Sequence, residues 1–104
     1  MTRLVALALA ALPLAAPAQE HPNERQLLGM RLFNQSCRVC HTKPQPTSAQ
    51  YGPTLSRASL GGNDEALRAF IGNGSAKMPG FRYHFKPAEI DAIVAYLKTV
   101  PSPD

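Results

Sequence analysis

The run Gln35-Ser36-Cys37-Arg38-Val39-Cys40-His41-Thr42 holds both cysteines of the chain, with a histidine directly after the second. A Cys-x-x-Cys-His string is the attachment signature of c-type haem. Two thiols at that spacing near a helix end reach the same edge of a porphyrin and add across its vinyl groups as thioethers. The adjacent imidazole is then directed at the iron from one face. The competing readings each lack a second feature. A redox-active Cys-x-x-Cys sits in a βαβ context, and no strand-like alternation occurs in this chain. A tetrahedral zinc site needs a further pair of Cys or His at ligand spacing, and only His21 and His84 remain. A structural disulfide across two residues would close a trivially small loop and leave His41 without a role.

Outward from that string, the pattern is helical. Residues 24–35 place Leu28, Leu32 and Phe33 on one apolar face, with Gly29 beside them. A glycine inside a helix costs about 1 kcal/mol relative to alanine, so its presence points to a close approach by another element. Residues 43–62 carry Pro44, Pro46, Gly52, Pro53, Gly61 and Gly62, which forbid a long helix. Asn63 can cap a short helix whose Leu67, Phe70 and Ile71 share a face and which ends at Gly72-Asn73-Gly74. Pro87 opens a last helix at its natural first position. There Ile90, Ile93, Val94 and Leu97 form the clearest amphipathic pattern, and Pro101 stops it. The class expected is all-α, three to four short helices.

The N-terminus reads as an address. Arg3 precedes the apolar run Leu4–Leu12, and small residues stand at Ala16 and Ala18. This is the pattern of a secretory signal cut after Ala18, leaving a single domain over 19–104 with its core at about 24–100. A spanning helix needs about 20 apolar residues, and Pro13 and Pro17 interrupt a shorter stretch. Stable membrane insertion is not expected, and the destination implied is the periplasm, where covalent haem attachment takes place. The chain has 104 residues, 44% hydrophobic, with no tryptophan. The apolar leader inflates that percentage. The remaining domain is small enough to need a staple, and a buried haem supplies one. So short a chain excludes a multidomain enzyme and a polytopic membrane protein.

The formal net charge is +4. No acidic residue falls between Glu65 and Glu89, whereas Arg68, Lys77, Arg82 and Lys86 do. A local positive field of this kind steers acidic partners. Nucleic acid is a poor partner for a modest charge on an exported chain.

The sixth position of the iron is the next question. Met78 lies in Lys77-Met78-Pro79-Gly80-Phe81, an irregular stretch where a side chain can be aimed inward. Its thioether is a soft, neutral ligand that raises the reduction potential. Met30 sits on the helix just before the attachment string, and Met1 leaves with the signal. His84, six residues on, is a rival ligand, and a core-filling methionine is the plain alternative.

With these residues in order, the sequence closely resembles the small class I c-type cytochromes of bacteria, from about Glu24 to Val100. The landmarks are Gly29 and Phe33, Cys37 to His41, Gly52-Pro53-Thr54-Leu55, and Lys77 to Phe81 ahead of the last helix. The resemblance implies the cytochrome c fold around one covalent haem c bound through Cys37 and Cys40. It also implies His41 and Met78 as axial iron ligands. The Pro53 carbonyl would accept a hydrogen bond from the outer nitrogen of His41, and Tyr96 would pack against Gly29. Tyr51, Arg57 and Tyr83 are possible partners of the haem propionates. One departure is Lys86 where relatives carry Ser or Thr as the cap of the last helix. Glu89 is then expected to lack a capping-box partner, at a cost of about 1 kcal/mol.

The function expected is a monomeric one-electron carrier and not an enzyme, docking acidic redox partners between a dehydrogenase or respiratory complex and an acceptor. The alternatives are a peroxidase-like or gas-binding protein with a labile sixth ligand, and a cytochrome subunit dedicated to one dehydrogenase.

Overall fold

The first ordered turn begins at Asn23, whose side-chain oxygen accepts the Gln26 N–H at 2.8 Å while the Gln26 side chain accepts the Asn23 N–H at 2.9 Å. That reciprocal pair satisfies two orphan donors and starts helix α1, Glu24–Ser36. A computed structural model describes residues 1–14 and 21–103 of the chain. Residues 1–14 carry no regular structure and are exposed. The cut expected after Ala18 lies outside the described residues. No helix among those described is long and apolar enough to cross a membrane.

Helix α1 buries Gly29, Leu32 and Phe33, and leaves Leu27 and Met30 exposed. A single further turn, α2 (Arg38–His41), follows at once. Both the Cys40 and His41 amides donate to the Cys37 carbonyl, at 3.2 and 3.1 Å, so the attachment string is held in helical form. The next twenty residues contain no α-helix, as their prolines and glycines dictate. A 3₁₀ turn spans Ser59–Gly62, with Leu60 in the left-handed region at φ 49°.

Helix α3, Asp64–Asn73, starts under the Asn63 side chain, which accepts the Ala66 N–H at 3.0 Å. It buries Leu67, Ile71 and Gly72, and Gly74 at φ 70° ends it. Helix α4, Pro87–Leu97, is the most buried element, with Ile90, Ala92, Ile93, Val94 and Leu97 inside. Fully burying a side chain of the size of Ile93 or Leu97 contributes about 2 kcal/mol. The N-terminus of α4 corrects one expectation. The Glu89 carboxylate accepts the Lys86 N–H at 2.8 Å. Half of a capping box therefore forms without Ser or Thr, because the acid at the third helical position needs only the backbone donor of the cap residue.

Helices α1 and α4 make the central packing pair. A Cβ on Gly29 would run into the Ala92 carbonyl and stand 2.8 Å from the Tyr96 Cβ, and the Phe33 and Tyr96 rings meet at a centroid distance of 5.4 Å. The surface then ties three helices together: Asp91 on α4 takes Arg68 of α3 at 2.5 Å and Arg25 of α1 at 3.7 Å. Lys98 bonds Asp64 at 2.7 Å and also the Gly62 carbonyl. The architecture is helical, with no strand among the described residues.

Candidate functional site

A cavity of about 580 Å³ opens between the α1–α2 junction, the loop after it, α3 and the stretch before α4. Cys37, Cys40 and His41 line it together with Tyr51 to Leu55, and Met78, Pro79 and Phe81 line it as well. Leu67, Phe70, Ile71, Ile93 and Leu97 make its apolar floor. The floor follows from helix periodicity, since the residues that α3 and α4 turn inward are those at i, i+3 and i+4.

His41 is buried, and its Nδ1 stands 2.7 Å from the Pro53 carbonyl oxygen. A carbonyl only accepts, so Nδ1 carries the hydrogen and Nε2 keeps its lone pair for a metal. Gly52 makes this approach possible: a Cβ there would lie 2.9 Å from both Cε1 and Nδ1 of the ring. The Gly52 amide donates to the Cys40 carbonyl at 2.7 Å, which sets the loop directly against the attachment string.

Burial, reinforced by the neighbouring Cys40, pushes the Cys37 thiol up to about 11. A redox-active Cys-x-x-Cys works the other way, stabilising a thiolate near neutral pH. No cluster of three or more His, Cys, Asp or Glu suited to a metal occurs among the described residues, so the zinc reading has no ligand set there.

Met78 is half-buried and sits in a tight loop. The Ser75 amide donates to the Met78 carbonyl at 2.8 Å, and the Phe81 amide donates to the Ile71 carbonyl at 2.9 Å. Glycine is required at both ends. Gly74 has φ 70°, and a Cβ on Gly80 would lie 2.7 Å from the Gly72 and Asn73 carbonyl oxygens. His84, the rival, is exposed and away from the cavity, its ring edge-on to Phe81 and Phe85 at centroid distances of 6.1 and 4.7 Å. Met30 is likewise outside it.

Of the three proposed propionate partners, only Tyr51 lines the cavity. Its hydroxyl donates to the Lys77 carbonyl at 3.0 Å. Arg57 is exposed elsewhere, and Tyr83 is 88% exposed with its hydroxyl accepting from Arg82 at 2.8 Å. Sequence reasoning missed Leu60, whose side chain joins the lining from a left-handed backbone. The pair Gly61-Gly62 was its signal, because a left-handed turn extends through all three residues.

The residues fit a haem. Two thiols stand on one helical turn, an imidazole has its outer nitrogen already spoken for, a thioether lines the same cavity, and the walls are largely apolar. The haem supplies reversible one-electron chemistry when bound; the chain supplies the thiols, the ligand orientation and the dry walls.

Comparison with known proteins agrees. The family described as "Cytochrome C oxidase, cbb3-type, subunit III" matches residues 24–97. Cytochrome c6 of Nostoc sp. is 32% identical over 73 residues, 66% of this chain; this chain spans 65% of that relative's own length. Among solved structures, the c-type cytochrome SorU of Sinorhizobium meliloti superposes with a TM-score of 0.55 at 28% identity, covering 73% of this chain and 90% of that one. Cytochrome c6 of the diatom Phaeodactylum tricornutum gives 0.55 at 22% identity, over 69% and 88%, and speaks to the fold alone. The helical fold, the apolar cavity walled by both cysteines and the family match converge: this chain belongs to the cytochrome c family and is a small class I c-type cytochrome carrying a covalent haem c.

Proposed function

We propose that this cytochrome is an exported one-electron carrier whose iron is held between His41 and Met78. The observation that carries the reading is that both side chains line the one cavity that Cys37 and Cys40 also line, while His84 is not among its lining residues. With both axial positions filled by protein, no open site is left for substrate, and chemistry beyond electron exchange is suppressed. The Pro53 carbonyl holds the His41 ring and raises its basicity. The leader Leu4–Leu12 supports export to the periplasm, where the chain is a monomer.

Lys77 lies at the cavity rim, and Arg82 and Lys86 follow on exposed positions of the next turns. We assign them the docking of acidic redox partners through a small, quickly released interface. The family description names an oxidase subunit, which supports a respiratory complex as one such partner, whether the cytochrome diffuses to it or stays with it. The oxidised-state absorption spectrum tests the ligand set. Methionine ligation gives a weak red band that disappears in Met78→Ala and persists in His84→Ala. A band lost in His84→Ala and kept in Met78→Ala overturns the assignment.

A further inference from the structure

We propose that the Tyr51 hydroxyl is the positioning group that keeps the Met78 loop closed on the cavity and so sets how readily Met78 leaves the iron. The inference rests on the His41/Met78 reading above. Tyr51 donates to the carbonyl of Lys77, the residue directly before Met78, at 3.0 Å across 26 residues of sequence.

The two ends of that bond differ in how they are held. On the Tyr51 side the chain is anchored to the proximal wall. The Gly52 amide bonds Cys40, the Pro53 carbonyl takes His41, and the Gln50 side chain clasps the Gly52 carbonyl at 2.9 Å and the Thr54 hydroxyl at 3.0 Å. On the other side, the remaining hydrogen bonds of residues 75–79 stay within the loop: Ser75 to the Met78 carbonyl, and the Lys77 amide to the Ser75 hydroxyl at 3.3 Å. The loop is otherwise fixed by its ends, at Gly74 and Phe81. Among the described residues, Tyr51 is therefore the one polar tie from the body of the loop to the rest of the protein. It links the segment that orients one axial ligand to the segment that carries the other.

An aromatic side chain suits this task because its hydroxyl reaches far with few rotatable bonds. Tyr51 as a residue is 71% exposed, a costly place for an aromatic side chain unless the bond or the bound group compensates. Opening the loop must break this bond. A neutral hydrogen bond partly shared with water makes opening about fivefold rarer.

The test uses the ferric holoprotein and the rate at which saturating cyanide replaces the methionine, a rate limited by loop opening. Tyr51→Phe keeps the ring and removes only the hydroxyl. It is expected to raise the limiting rate about fivefold. Thr99→Ala, which deletes a comparable exposed bond from Thr99 to the Tyr96 carbonyl (2.7 Å), is expected to leave the rate unchanged. An unchanged rate in Tyr51→Phe, or an equal rise in Thr99→Ala, overturns the role of Tyr51 while leaving Met78 as ligand. If instead Met78→Ala leaves both the limiting rate and the red band as in the wild type, the ligand reading itself falls, and the role of Tyr51 with it.

Discussion

Gly29 of α1 lies against Tyr96 of α4 so closely that a single added methyl carbon would stand 2.8 Å from the Tyr96 Cβ and overlap the Ala92 carbonyl. The obstacle is backbone, which cannot rotate away. Gly29→Ala is therefore expected to destabilise the holoprotein by about 3 kcal/mol or more through overpacking, against a helix-propensity gain of about 1 kcal/mol. Thermal unfolding of the haem-loaded protein measures the difference. A rise in the midpoint would mean that the two helices are free to separate there.

Removing the proposed distal ligand has a separate signature. Met78→Ala is expected to lower the reduction potential by on the order of 100 mV, since the soft neutral ligand favours ferrous iron. Carbon monoxide should bind the ferrous variant quickly and the wild type slowly. Fast binding by the unmodified protein would favour the gas-binding or peroxidase-like alternative.

Docking through Lys77, Arg82 and Lys86 is an electrostatic claim and has a salt dependence. The Debye length falls from about 10 Å at 0.1 M to about 3 Å at 1 M. The second-order rate of reduction by an acidic redox partner should drop about tenfold across that range. Lys86→Glu should reduce both the low-salt rate and the slope. A rate flat in ionic strength would remove the docking patch and leave the carrier intact.

The haem is also expected to complete the core. Leu67 and Ile71 of α3 and Ile93 and Leu97 of α4, all buried, line the 580 Å³ cavity as well as packing on one another. Cys37→Ala with Cys40→Ala should leave the chain largely unfolded, with weak helical circular dichroism and no cooperative thermal transition. A compact, cooperative chain without haem would show that α1 and α4 suffice alone.

Acid should loosen the tie between Asp64 of α3 and Lys98. The hydrogen bond from the Lys98 ammonium, helped by its charge, holds the Asp64 carboxyl below its ordinary value of 3.8. A carboxylate whose folded-state value is depressed adds stability above its unfolded value and loses it as pH falls through the folded one. The Asp64 contribution is thus whole at neutral pH and is lost progressively as pH falls below 3.8. Asp64→Asn should lower the thermal midpoint slightly at pH 7 and leave it unchanged at strongly acid pH. Thermal melts at the two pH values make the comparison.

Much of this protein was legible in its residues because the deciding information is local. Cys37, Cys40 and His41 are neighbours on one helical turn, so their spacing alone names the group they hold. Pro87, Asn63 and the 3.6-residue periodicity of α3 and α4 fix where helices begin and which faces go inward. Relations between distant segments had to wait for the fold. That His84 lies outside the cavity, that Arg57 and Tyr83 do not reach it, and that the Tyr51 hydroxyl meets the Lys77 carbonyl all depend on how loops cross in space. The same is true of the cap at Lys86, where a side chain three residues on supplies what the cap residue lacks. Short-range geometry is written in spacing. Which loop closes on which is decided only in the folded chain, where Gly29 lets α1 meet α4 and the Tyr51 hydroxyl meets the Lys77 carbonyl.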